Sequence, residues 1–113
     1  MSEFSSSVQL DLDEGTADLI QSGVTILNGW YIYNAASTVR FVKFYNKATA
    51  AVAGTDTPVI VLPIPAGSGA NIMCERGIRE FSLGLSVSAT TGVANSDTGA
   101  PAANDVVATL FFT

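Results

Sequence analysis

Phe81-Ser-Leu-Gly-Leu-Ser-Val-Ser-Ala89 decides the fold class. Phe81, Leu83, Leu85, Val87 and Ala89 alternate with Ser82, Gly84, Ser86 and Ser88, the two-residue period of a β-strand with one face on a core. The other face is small and uncharged, which suits close packing more than open water. The same period recurs outward from this stretch. Val8, Leu10 and Leu12 alternate with Gln9, Asp11 and Asp13. The segment 24–33, Val-Thr-Ile-Leu-Asn-Gly-Trp-Tyr-Ile-Tyr, reads as strand, with Asn28-Gly29 either a tight turn or a bulge. In Thr38–Asn46 the phase slips: Val39 and Phe41 share one face, Val42 and Phe44 the other. That implies a bulge or a strand covered on both sides.

Residues 16–21 fit a short helical turn or a strand. Residues 57–64 are apolar but carry Pro58 and Pro63, which lack the amide proton a central strand donates, so an edge strand is expected. Pro65–Gly69 reads as a turn, 71–75 as a short strand, and 105–112 as a terminal strand with apolar residues on both faces. Lys47–Thr57 and Thr90–Asn104 read as loops. No stretch places apolar residues at three- and four-residue spacing over ~10 residues, as a helix requires. The expectation is therefore an all-β, single-domain antiparallel β-sandwich or jelly roll of about 7–8 short strands. Residues 1–20 form an N-terminal arm or first strand, and 21–113 the sandwich domain.

The chain of 113 residues allows one core without disulfides. Charged residues make up 13 %, about half the usual ~25 %, so part of the apolar surface is expected to be buried against other subunits. Ten acids against five bases give a net charge of −5. Arg40, Lys43, Lys47, Arg76 and Arg79 are too few for a phosphate-binding patch, and neither nucleic acid nor an anionic membrane is an expected partner. The lone Cys74 reads as a small core hydrophobe. No apolar run reaches the ~18 residues a membrane helix requires. The N-terminus shows no basic stretch followed by an apolar one, so synthesis in a cytoplasm is expected.

The sequence contains no histidine, which removes Ser-His-Asp and Cys-His triads and most zinc sites. A carboxylate pair of the glycosidase type would draw on Asp11, Asp13, Glu14, Asp18, Asp56, Glu75, Glu80, Asp97 and Asp105, acids that mostly sit in turns. Asp11-Leu-Asp13-Glu14-Gly15 fails as an EF-hand loop, with Gly15 and Ser22 at its fifth and twelfth positions. Gly67-Ser-Gly69 lacks the Lys-Ser/Thr ending of a phosphate loop. No catalytic residue, metal ligand or cofactor is assigned. Trp30, Tyr31, Tyr33 and Tyr45 would serve either as a stacking platform for sugars or as core and interface anchors. The candidate interface comprises Val8, Leu10, Leu12, Trp30, Tyr31, Tyr33, Phe111 and Phe112.

Tyr31-Ile-Tyr-Asn-Ala-Ala-Ser-Thr-Val-Arg-Phe-Val-Lys-Phe-Tyr-Asn46 resembles a recurrent sequence type in small proteins of tailed bacteriophages. Gly54–Val59, Ile64–Gly67, Gly77-Ile78, Gly84–Ser86, Thr91–Ala94 and Ala102–Val106 extend the resemblance, which covers roughly residues 28–113. It implies a virion component on the capsid surface, of the head decoration (cement) type. The partners it implies are further copies of the chain, a trimer foremost, and the major capsid protein. The alternative is a carbohydrate- or receptor-binding module of a tail fibre. The N-terminal arm is expected to be exchanged with a neighbouring subunit or laid along the shell.

Overall fold

β-Branched and aromatic side chains at alternate positions give nine strands in the computed structural model, which describes residues 6–113. They are β1 (Ser6–Asp11), β2 (Asp18–Ser22), β3 (Thr25–Asn34), β4 (Arg40–Asn46), β5 (Ile60–Ile64), β6 (Ser68–Met73), β7 (Arg79–Phe81), β8 (Gly84–Thr90) and β9 (Val106–Phe112). All pairings are antiparallel. Sheet A runs β1-β9-β3-β6, with β7 also on β3, and sheet B runs β2-β8-β4-β5. The protein is an all-β sandwich of these two sheets.

One core lies between them. Leu27, Trp30, Ile32, Val106, Ala108 and Leu110 of sheet A meet Val42, Phe44, Ile64, Leu85, Val87 and Ala89 of sheet B. Trp30 stacks on Phe44 across the gap at 5.4 Å between ring centroids. Asn34 ties the sheets at one end. Its buried amide donates to Thr38 O and Ile64 O, each at 2.9 Å, and its Oδ1 accepts the Ala36 N–H, so a buried polar group is fully used.

Four local readings resolve here. Asn28-Gly29 lies inside β3 as a bulge: the register against β9 shifts between Leu27 and Gly29. A Cβ at Gly29 would run into Ile72 O and Met73 Sδ. β5, with Pro63, is an edge strand of sheet B, as its prolines require. The alternation from Phe81 to Ala89 conceals a break, and it accounts for the ninth strand. Phe81 ends β7 in sheet A, Leu83 is exposed, and β8 starts at Gly84 in sheet B. The chain crosses between sheets there, packed so tightly that a Cβ at Gly84 (φ +156°) would meet Lys47 O, with Gln21 O at 2.9 Å. The segment 16–21 resolves as β2.

Candidate functional site

The two outer faces of the sandwich differ. That of sheet B is formed by Phe41, Lys43 and Tyr45 of β4 beside Thr90, Ser88 and Ser86 of β8. Except for Phe41, all of these are buried, because residues 47–59 and 91–105 fold back over them. The phase slip in β4 is thus a strand covered on both sides. Small hydroxyl residues let the backbone approach and provide its hydrogen bonds. Ser86 Oγ accepts the Ala51 N–H at 3.2 Å, Ser88 Oγ lies 3.1 Å from Tyr45 Oη, and Thr90 Oγ1 donates to Gly92 O at 2.8 Å. Lys43 is fully buried and donates to Ala94 O at 2.7 Å and Asp97 O at 3.3 Å, pinning the 91–99 arch. Desolvation lowers its pKa from the usual lysine value, and the Asp97 carboxylate partly offsets this. Burial raises the Tyr45 pKa against the opposing bond to Ser88.

No described residue covers sheet A in this way. By register its outer face comprises Ser7, Gln9 and Asp11 of β1, Val107, Thr109 and Phe111 of β9, Tyr31 and Tyr33 of β3, and Gly69, Asn71 and Met73 of β6. Tyr31 and Tyr33 are each about half exposed, at 49 % and 51 %. Phe111 meets Tyr31 edge-on at 5.1 Å. A shallow groove of about 240 Å³ runs along Tyr31, Tyr33, Gly69, Asn71, Val107 and Thr109. It stays open at Gly69, where a Cβ would stand 3.6 Å from Tyr33 Cδ1 and only 2.9 Å from Ile32 O. Asp11 and, on β7 opposite Ile26, the exposed Glu80 are the charged side chains of this face, and the Asp11 carboxylate accepts the Asn104 N–H at 3.0 and 3.2 Å.

The residues expected at an interface divide between the two sides of sheet A. Tyr31, Tyr33 and Phe111 come together on the outer face. Leu12, Trp30 and Phe112 are buried inside the sandwich, and Val8 and Leu10 pack half-buried against the core. The aromatic platform is likewise split: Trp30 is in the core, and Tyr45 lies under the sheet B loops. The described part of the N-terminal arm pairs as β1 with β9 of its own chain, and residues 1–5 lie outside the described residues. Cys74 is partly exposed. Among the described residues no group of three acidic or sulfur ligands is placed to hold a metal. Asp13 and Glu14 act instead on Asp18, whose pKa is raised chiefly by burial and then by these two charges.

The strand expected over 71–75 is β6, Ser68–Met73, which takes in Gly69 from the expected turn; Gly69, Asn71 and Met73 were not expected on the outer face because Ser-Gly-Ala-Asn-Ile-Met has no clean alternation. The burial of Lys43 did have a signal: a base in the middle of a strand apolar on both sides. Compared with models of known protein families, with curated proteins and with solved structures, the chain matches none.

Proposed function

We propose that the protein is a non-enzymatic structural subunit of a larger assembly. We assign that assembly to a tailed-phage virion, where the protein acts as a decoration (cement) subunit that binds and stabilises the head shell. One observation carries this reading: the chain covers the central strands β4 and β8 on the outer face of sheet B with its own loops, while no described residue covers the aromatic outer face of sheet A, whose charged side chains are Asp11 and, on β7, Glu80. A surface of that kind suits contact with another protein. Low overall charge and the resemblance of residues 28–113 to small phage proteins support the same reading. The partners are further copies of the chain and the major capsid protein, and the site of action is the capsid surface.

The test uses head shells assembled from the major capsid protein of the phage genome that encodes the chain. Co-sedimentation with the shells, together with a higher shell melting temperature, is the expected result. Shells that neither retain the protein nor gain stability would overturn the reading.

The half-exposed Tyr31 and Tyr33, flanked by the Asn71 amide and the Thr109 hydroxyl, favour a second reading, a carbohydrate-binding module. Retardation in native gels cast with neutral polysaccharide, lost in Tyr31→Ala, would move the assignment there.

A further inference from the structure

Gln9 and Asn71 stand at the two opposite edges of sheet A, on β1 and β6. The Leu12 N–H donates to Val106 O at 2.9 Å. In an antiparallel ladder alternate residues bond one neighbour, so Ser7, Gln9 and Asp11 direct their N–H and C=O groups away from β9. On β6 the Cys74 N–H donates to Asn28 O at 2.7 Å. By the same alternation Gly69, Asn71 and Met73 direct theirs away from β3. Each edge therefore presents three residues with outward backbone groups on a six-residue strand.

Natural sheets blunt such edges with proline, lysine or bulges. Sheet B follows that rule: β5 carries Pro63, and β2 is bulged between Leu19 and Gln21. Neither β1 nor β6 contains proline, lysine or arginine. β6 also leaves Ile72 and Met73 exposed, at 45 % and 47 %. Strand polarity is equally open. Three successive antiparallel pairings separate β1 from β6, so the two run in opposite directions. A second copy in the same orientation, adding its β1 to this β6, would continue the antiparallel sheet.

We infer that β1 of one copy pairs with β6 of the next, Gln9 opposite Asn71, Ser7 opposite Met73 and Asp11 opposite Gly69, so that sheet A continues through the assembly. This rests on the structural-subunit reading and names its self-contact. The register joins like to like. Gln9 and Asn71 both belong to the outer face. Val8 meets Ile72 and Leu10 meets Ala70 on the inner side, covering apolar surface that each copy alone leaves open. A two-fold pair of β1 strands would leave β6 and its exposed Ile72 uncovered. The head-to-tail pair uses both edges and leads to a closed ring or a filament according to the rotation per copy.

The test is cross-linking in a Cys74→Ser background. Directly opposed residues of a hydrogen-bonded pair have Cα atoms about 5.5 Å apart, within the ~4.4–6.8 Å that a disulfide spans. Gln9→Cys/Asn71→Cys is expected to give a ladder of covalent multimers under mild oxidation, and each single variant none. A dimer from Gln9→Cys alone, or from Asn71→Cys alone, would mean a two-fold edge pair and overturn the proposal. An oligomer by light scattering with no cross-link in the double variant would overturn this register while leaving the subunit reading intact. A monomer at every concentration, still bound by head shells, would do the same.

Discussion

Replacing Lys43 by methionine keeps the length of the side chain and removes the ammonium that holds the 91–99 arch. Two carbonyls, Ala94 O and Asp97 O, lose their donor. A hydrogen bond from a charged donor contributes ~1.5–3 kcal/mol net, and the second bond, at 3.3 Å, is long and contributes less. Against this, the variant no longer has to desolvate a buried cation. The balance is a loss of about 2 kcal/mol, or about 8 °C in Tm at ~4 °C per kcal/mol for a chain of this size. The local signature is sharper than the global one. The arch amides of Thr91, bonded to Gly99 O, and Asp97, bonded to Ala94 O, are expected to lose protection through local opening in Lys43→Met, while core amides change only by the global loss. The pH dependence has a definite sign. The folded pKa lies below 10.5, so in the window between the two values the unfolded chain holds more protons and stability rises with pH. That rise is expected in the wild type and absent from the variant, and the difference between the two cancels the opposite contribution of Tyr45 above pH 10.0. A Lys43→Met protein as stable as wild type, with Thr91 and Asp97 still protected, would refute the pinning role.

Other perturbations read different parts of the fold. Trp30→Ala removes the ring stacked on Phe44 and is expected to cost about 4 kcal/mol, measured by denaturant unfolding. Asp18→Asn is expected to raise Tm at neutral pH. The raised carboxyl pKa means the fold favours the protonated form, and this contribution is lost as pH rises through the folded value; below 3.8 the variant and wild type converge. Gly84→Ala forces a Cβ onto Lys47 O and is expected to cost about 3 kcal/mol, seen as a fall in Tm, whereas Gly23→Ala, with open space around it, strains only its own backbone.

The two-residue period specified the sheets because one face of each strand had to be apolar. It placed β1, β3, β4, β8 and β9, and the prolines marked the edge position of β5. It failed where two strands abut without a turn signal: nothing in Phe81–Ala89 shows that Ser82-Leu83 leaves sheet A for sheet B. Patterning also could not tell which aromatic residues of β3 face inward, since Trp30, Tyr31, Ile32 and Tyr33 are large on both sides of the strand. The bulge at Asn28-Gly29 and the cross-sheet contact with Phe44 decide that phase, and both are tertiary. The small uncharged face of β8 did reveal that something packs on it. The coverage comes from the chain's own loops, so the low surface charge finds its outlet on sheet A instead.

The most direct measurement is the solution mass of the protein by light scattering over a concentration series, beside Asn71→Pro. The Asn71 N–H points away from β3, so proline there removes no intrachain ladder bond but blunts the β6 edge. The expected result is an oligomer, closed ring or open filament, for the wild type and a folded monomer for Asn71→Pro. A wild type that stays monomeric at every concentration and is not retained by head shells would contradict the assignment to a structural assembly.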